Sequence, residues 1–479
     1  MAEPGEPNHR MQPPDWMTQP QTRAIMAALM ADGRPARFVG GCVRDALLGL
    51  RPVDIDIATP EMPERVQKLL KRAGIKAIPT GIAHGTITAV LPPVQCEITT
   101  LRRDIDTDGR HAVVQFGSDG SEVGWAEDAA RRDFTINALY ADADGGVFDP
   151  TGQGLADLQA GRVRFIGDAA QRVREDYLRA LRFFRFHARF ASGQPDAEAL
   201  AACRDAVPGM ARLSAERVGA EMIKLLALPK AAPALAAMAD CGLLAAVLPE
   251  ARLVGAGLVG ARLVGAGLDR LIALQQQLGA ADLADPDDPW PRLSLLVGEA
   301  WDAVADRLKL SNAQRKRLED LAQPFDWAAF ADPESRQALY FDSGAALIRD
   351  RALLAAATDT TSGQVSDPAP DHSLVAVDRP APGERAAALP GLLESMRTWR
   401  KPVFPLRGAD LLAHGMRHGP GLGGMLKELE AWWRQDGCRA DREACLAHLR
   451  QRVVIEESDA PAAASDAVEA AGKDKPPAR

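Results

Sequence analysis

"FVGGCVRDALLGLRPVDIDIAT" (Phe38–Thr59) holds a short apolar run, a glycine pair, a helix-like stretch and two aspartates one residue apart. Asp54 and Asp56 sit at i and i+2 of a β-like run, a spacing that puts both carboxylates on one strand face. Two such groups repel unless a cation lies between them. Hard divalent ions such as Mg²⁺ take oxygen ligands and fill their remaining positions with water and phosphate. A pair of this kind suits two metals about 4 Å apart, the arrangement of phosphoryl-transfer sites. Alone, D-x-D describes a solvated edge strand better than a metal site. Here Gly40 and Gly41 stand just before the helical run Val43–Leu48, where backbone N–H groups can approach a phosphate at a helix N-terminus. No GK[ST] follows, so this is not a Walker loop.

The rest of the chain bounds the reading. At 479 residues it is long enough for about three domains. An apolar fraction of 47% supports a sizeable core, and a net charge of -8 means that any basic surface is local. Six cysteines, none in a CxxC pair, predict reduced thiols of a cytoplasmic protein without a disulfide partner or a zinc site. Residues 1–15 are polar and Pro-rich without an apolar leader core, and no run is apolar enough to predict a membrane partner.

Strand-like runs ("RFVGG", "DIDIAT", "HGTITAVL", "QCEITTL", "AVVQF", "GGVFDP") and the helix "PERVQKLLKRAG" fill residues 23–158. Beyond Gly161 the spacing turns helical throughout. "ARLVGAGLVG" (251–260) is followed by "ARLVGAGLDR" (261–270), a two-copy tandem duplication that extends a loop or a helix end. The Pro-, Ser- and Asp-rich stretch 358–391 reads as a long loop. The expected class is α+β: a small α/β head with a short sheet, then an all-α neck, body and tail.

"GGCVRDALLGLRPVDIDIAT" resembles the first signature of class II tRNA nucleotidyltransferases, the family of CCA-adding enzymes and bacterial poly(A) polymerases. Further signatures follow in the same order: "RRDFTINAL" (131–139) is similar to the ribose-selecting motif, "DPTGQGLADL" (149–158) to the flexible head–neck hinge, "REDYLRALRFFRF" (174–186) to the nucleotide-base motif, and "LSAERVGAEMIKLL" (213–226) to the motif closing the neck. "RRDIDTDGRH" (102–111) resembles the family's flexible loop. The resemblance implies a nucleotidyltransferase head over 23–158, a neck over 159–230, a body over 231–345 and a tRNA-binding tail over 401–456, while composition predicts a loop or linker over 346–400 and disordered ends at 1–22 and 457–479. It implies two-metal Mg²⁺ catalysis on Asp54 and Asp56, with Glu97 as a third carboxylate and Arg110 of the loop assisting. It implies nucleotide contacts from Gly40, Gly41, Arg44, Arg131, Arg132, Asp133, Asn137, Asp176, Arg179 and Arg182. His84, before Gly85, reads as part of a structural turn.

The residues themselves agree. Arg131 and Arg132 offer bidentate forks for phosphate, and Asp133 and Asn137 offer groups for ribose hydroxyls. Between Arg162 and Arg189 stand eight arginines against three acidic residues. Arg182, Arg185 and Arg189 form a ridge at helical spacing that suits RNA phosphates, with Phe183, Phe184 and Phe186 as core. Asp176 and Arg179, three apart on a predicted helix, share a face. One accepts and the other donates, which matches the amino-donor and ring-nitrogen-acceptor edge of cytosine and adenine and mismatches uracil and guanine. The implied function is template-independent addition of CCA to tRNA 3′ ends from CTP and ATP with release of pyrophosphate. A poly(A) polymerase, a partial CC- or A-adding enzyme and an inactive RNA-binding relative are the alternatives. "GIAHGTITAV" and "SAERVGAEMIKLL" look more like the CCA-adding branch.

Overall fold

The structure is a computed structural model that describes residues 6–82, 85–107, 112–116, 124–252, 257–358, 384–397 and 399–458. The chain forms two compact units, Met1–Gln323 and Pro324–Arg479.

The first unit opens with a mixed sheet. Its strands are β1 (His9–Arg10), β2 (Arg37–Val39), β3 (Ile55–Thr59), β4 (Lys76–Gly81), β5 (Thr86–Leu91), β6 (Val94–Thr100), β9 (Tyr140–Ala141) and β10 (Gly146–Phe148), while β7 (Arg102–Thr107) and β8 (Ala112–Phe116) pair separately. The order is β1-β10-β9-β2-β3-β6-β5-β4. β3 and β6 run parallel in a register that sets Asp56 beside Glu97. Along β6, Val94, Cys96 and Ile98 are buried while Gln95 and Glu97 are exposed, the two-residue alternation of a half-buried strand. The helix Pro63–Arg72 begins on a proline, ends on Lys71 and Arg72, and buries Val66, Leu69 and Leu70.

From Ala169 the first unit is helical. Phe183 and Phe184 of the helix Leu178–Phe190 are fully buried, as core residues should be. Phe134 from the head packs its ring against Phe165 and Phe186 at centroid distances of 5.0 and 5.1 Å, so one aromatic cluster joins head and neck. The connection resembling a flexible hinge is tied down. Asp157 is wholly buried and accepts hydrogen bonds from Thr135 and from Arg162 and Arg164. Gly154 packs so closely that a Cβ there would stand 2.6 Å from the Thr135 carbonyl oxygen.

Several boundaries differ from the sequence expectation. The segment expected to be disordered over 1–22 contains β1, which pairs with β10, and the helix Pro20–Leu29. Met17 is fully buried, so this segment contributes to the head core. Within the expected linker 346–400 lie the helices Ala345–Ala357 and Glu384–Arg397; residues 359–383 and 398 are outside the described set. The expected body, 231–345, runs past the division at Gln323. The reason is packing: Phe341 joins the core of Leu411, Met425, Leu429, Trp433 and Leu449 in the second unit. The duplication feeds into the helix Gly257–Ala280, with residues 253–256 outside the described set. Of the expected disordered C-terminus, 457–458 close the helix Arg442–Ser458, and 459–479 lie outside the described residues. All six cysteines are unpaired. Among the described residues no helix is long and apolar enough to cross a membrane.

Met17→Ala is expected to cost about 2–5 kcal/mol of stability, the usual range for emptying a buried methionine site. Urea unfolding checks it. A loss below about 0.5 kcal/mol would mean that the N-terminal segment is not part of the core.

Candidate active site

β2 ends at Val39, and Gly40 turns the chain at φ +73 into the helix Gly41–Leu47. That backbone conformation favours glycine, and a Cβ on Gly40 would also stand 3.3 Å from a terminal nitrogen of Arg132. In the helix, Arg44 is buried. Its Nε and Nη2 bond Asp45 at 2.8 and 2.7 Å, and its Nη1 donates to Asn137 Oδ1 at 2.5 Å. Asn137 in turn donates to Asp133 Oδ1 at 3.0 Å. Asp133 Oδ2 accepts from Nε and Nη2 of Arg182 at 2.8 and 2.6 Å. Burial would raise the Asp133 carboxyl, but Arg182, the Asn137 amide and the Phe134 N–H together hold it down at about 2.

A second buried carboxylate organises the arginine pair. Asp128 accepts from Arg131 Nε at 2.9 Å, from Arg132 Nη2 at 3.1 Å and from the Tyr140 hydroxyl at 2.7 Å. Against burial, Arg132 and Arg131 hold its carboxyl at about 2. Arg132 Nε is buried without an acceptor among the described residues. A phosphate oxygen would supply one.

These groups wall a cavity of about 490 Å³, lined also by Asp56, Asp176, Leu178, Arg179, Arg185, Phe186 and Arg217. Of the residues expected at the site, it gathers Gly40, Gly41, Arg44, Asp56, Arg131, Arg132, Asp133, Asn137, Asp176, Arg179 and Arg182. Seven arginines and three aspartates line it, and Asp45, Asp128, Glu175 and Glu221 pair with five of those arginines.

The base motif departs from its expected geometry. The helix Ala169–Glu175 stops at Asp176, whose φ of -153 and ψ of 105 are extended, and a new helix starts at Leu178. Asp176 and Arg179 therefore do not share a helix face. Arg179 pairs with Glu175 at 2.8 Å and with the Arg131 carbonyl at 3.1 Å. Asp176 pairs with Arg217 at 2.8 Å and caps the Leu178 N–H at 3.1 Å. Both still line the cavity, and each retains hydrogen-bonding capacity. Arg217 was not singled out from the sequence, although it carries a signal. It lies in the first turn of the helix Ala215–Leu226, where the helix dipole disfavours a cation, so its partner must lie elsewhere.

The expected arginine ridge is also corrected. Arg185 is bound to the buried Glu221 at 2.6 Å and so is engaged within the fold, whereas Arg189 is 39% exposed and lies 3.9 Å from Asp45, which Arg44 already holds.

The carboxylates divide. Asp54 precedes β3, Asp56 lies within it, and Glu97 stands beside Asp56. Asp54 and Glu97 line a separate cleft and not the arginine-lined cavity. Burial first, then the charges of Glu97 and Asp54, push the Asp56 carboxyl up to about 6, against the pull of Arg132. Among the described residues no three His, Cys, Asp or Glu side chains form a metal cluster by themselves. The donor set fits an ion that takes one or two carboxylates and completes its shell with water and substrate phosphate. Arg110, with Asp108 and Gly109, lies outside the described residues, as does His84.

Known proteins resemble this chain along most of its length. The family "Poly A polymerase head domain" matches residues 36–164, and "Probable RNA and SrmB- binding site of polymerase A" matches residues 194–253. The mouse mitochondrial CCA tRNA nucleotidyltransferase 1 is 30% identical over 90% of this chain and 89% of its own length. The CCA-adding enzyme of Streptococcus sanguinis is 31% identical over 89% of this chain and 96% of its own. The crystal structure of the Bacillus stearothermophilus CCA-adding enzyme in complex with CTP superposes with a TM-score of 0.60 at 26% identity, covering 92% of this chain and all of that one.

Because the folded Asp56 carboxyl titrates near 6, above its ordinary value of 3.8, its ionised form opposes folding. The group's contribution is most favourable below pH 3.8, declines as pH rises through about 6, and is a constant penalty above that. Asp56→Asn should therefore stabilise the metal-free protein by on the order of 1–2 kcal/mol at pH 8 and by almost nothing at pH 4. Melts in chelator at both pH values check this; equal shifts would refute it.

Proposed function

The chain belongs to the family of CCA-adding tRNA nucleotidyltransferases, and from that membership we propose how its cavity adds CCA to tRNA 3′ ends without a nucleic-acid template. The observation that carries the reading is the meeting of seven guanidiniums, the Asp56 carboxylate and the Asp176–Arg179 edge in one cavity of nucleotide size.

The triphosphate of CTP or ATP lies against Arg131 and Arg132, which Asp128 aims, with Arg132 Nε offering an otherwise unmet donor. Asn137 and Asp133 lie where they face the ribose. Their mutual hydrogen bond and their ties to Arg44 and Arg182 hold them there. Asp176 accepts from the exocyclic amino group of cytosine or adenine while Arg179 donates to the adjacent ring nitrogen. Uracil and guanine present the reverse pattern and leave both groups unmatched. Arg217 braces the carboxylate of Asp176, and Glu175 braces Arg179.

Asp54 and Asp56 are the residues that would hold Mg²⁺, which when bound screens the triphosphate and favours the alkoxide form of the attacking hydroxyl. The RNA 3′ oxygen bonds to the α-phosphorus as the bond to the β-phosphate bridge breaks. The hydroxyl proton passes to solvent and pyrophosphate departs.

Incubating the full chain with tRNA lacking its 3′ CCA and with each nucleoside triphosphate, singly and together, tests the reading. CTP alone should add two residues, CTP with ATP three, and UTP and GTP essentially none. Long A-tails from ATP alone would identify a poly(A) polymerase instead. Asp176→Ala should lower kcat/KM for CTP roughly tenfold or more and narrow the CTP:UTP ratio, since a bidentate base contact carries about 1–3 kcal/mol of discrimination. An unchanged ratio would place base reading elsewhere. Since the metal ligand must be ionised, the Mg²⁺ concentration for half-maximal rate should rise about tenfold per pH unit below about 6, and stay level above it.

A further inference from the structure

Tyr140 follows directly on the segment Arg131–Leu139, which carries the arginine pair and the ribose-facing groups. It is fully buried and does not line the arginine-lined cavity, yet its hydroxyl donates to Asp128 Oδ2 at 2.7 Å. We propose that Tyr140 is a positioning residue for the nucleotide's phosphates: it sets the plane of the Asp128 carboxylate, and that carboxylate holds Arg132 beside the Gly40 turn. The proposal rests on the nucleotidyl-transfer reading above.

The softness of an aspartate creates the requirement. The torsion that turns a carboxylate about its stem is broad and two-fold, so partners and not the backbone set its plane. Asp128 serves two cations at once. Its Oδ1 lies 2.9 Å from Arg131 Nε and 2.7 Å from Arg131 Nη2, while its Oδ2 takes Arg132 Nη2 at the longer distance of 3.1 Å. Arg131 has the stronger hold, and a carboxylate free to turn would go over to it. The Tyr140 hydroxyl shares Oδ2 with Arg132 and keeps that oxygen in place. Burial pushes the Tyr140 hydroxyl above its ordinary pKa, so it stays a donor through the neutral range. Its ring also flanks Arg132, whose guanidinium carbon lies 5.5 Å from the ring centroid.

The tyrosine is itself fixed. β9 pairs with β2 so that Tyr140 stands opposite Val39, the residue before Gly40, and the Gly40 N–H donates to the Leu139 carbonyl at 2.9 Å. One strand register therefore places both the glycine turn and the tyrosine. Trp125 opens the helix Trp125–Ala130, which bears Asp128, and lies edge-on to Tyr140 with ring centroids 5.3 Å apart and planes at 83°. The buried Arg37 of β2 backs it, with its guanidinium carbon 4.5 Å from the Trp125 ring centroid and 3.5 Å from that of Phe148. Arg132 Nη1 reaches the glycine turn itself, since a Cβ on Gly40 would stand 3.3 Å from it. Two phosphate-binding features remote in sequence, the turn and the guanidinium, thus converge through one hydroxyl.

The test uses the full chain, with inorganic tripolyphosphate as the binding probe in the absence of RNA and with tRNA lacking CCA for kinetics. Tyr140→Phe is expected to raise the Kd for tripolyphosphate and the KM for CTP and for ATP alike by about threefold to tenfold, the scale of one lost hydrogen bond. The KM for tRNA and the CTP:UTP ratio of kcat/KM should not move, because base and RNA are read elsewhere. A double-mutant cycle locates the effect. Combined with Asp128→Asn, Tyr140→Phe should weaken tripolyphosphate binding no further than Asp128→Asn does alone; if Asp128→Asn does not fold, Arg132→Ala takes its place in the cycle. Losses that multiply would show that Tyr140 does not act through these groups and would overturn the proposal. A lower Tm with unchanged tripolyphosphate affinity would reduce Tyr140 to a core residue and overturn it equally. Arg132→Ala separates the two levels: wild-type tripolyphosphate binding by that variant would sink the phosphate reading of the cavity and this inference with it, whereas a loss in Arg132→Ala with none in Tyr140→Phe sinks the inference alone.

Discussion

The carboxylate of Asp133 is the contact on which the catalytic unit depends. It is buried, and it takes two hydrogen bonds from Arg182, one from the Asn137 amide and one from the Phe134 N–H. Through Asn137 it reaches Arg44 behind the glycine pair, and through Arg182 it reaches the neck helix. Three segments far apart in sequence are thereby held in one register. A buried pair of this sort contributes little net stability, yet breaking it from one side costs about 3–5 kcal/mol, so it enforces geometry more than it strengthens the fold. The aromatic cluster of Phe134, Phe165 and Phe186 lies beside it and supplies the apolar driving force that the ion pair does not.

Around that node the protein solves a charge problem. A polyphosphate pocket needs concentrated positive charge, and concentrated positive charge is self-repelling. Asp128 sits under Arg131 and Arg132, Glu175 beside Arg179, Glu221 beside Arg185, and Asp176 beside Arg217. Each carboxylate steadies its cation and sets its direction, so that the guanidiniums can gather around one cavity. The same pairing engages Arg182 and Arg185 along the helix Leu178–Phe190. The carboxylates proposed to hold metal are arranged in the opposite sense. Asp56, Glu97 and Asp54 repel one another, so the site is poised to be completed by cations and phosphate.

Much of this was legible in the residues. The two-residue spacing at Asp54 and Asp56, the glycine pair and the ordered motifs marked a nucleotide-handling head on a helical body, because such signals are local: a positive φ at Gly40, the alternation along β6, the helical spacing after Gly161. The N-terminal segment was misread because its polarity hides an apolar residue, Met17, that is buried only once the sheet exists. The helices within the expected linker, Ala345–Ala357 and Glu384–Arg397, flank the Pro-rich composition that suggested a loop.

By itself, then, the sequence determined the class of fold, the reaction family and most of the side chains that line the cavity, since each of these follows from residue type and short spacing. Only the tertiary structure decided the pairings. That Asp176 answers to Arg217 rather than Arg179, that Arg185 is spent on Glu221, and that Asp54 and Asp56 face different cavities depend on where the helix breaks at Asp176 and where β3 begins at Ile55. Charged side chains choose partners by distance in space, and their strength falls with solvent screening. Chain spacing within one helix therefore predicts such pairs only while the helix is unbroken and no better-buried partner competes.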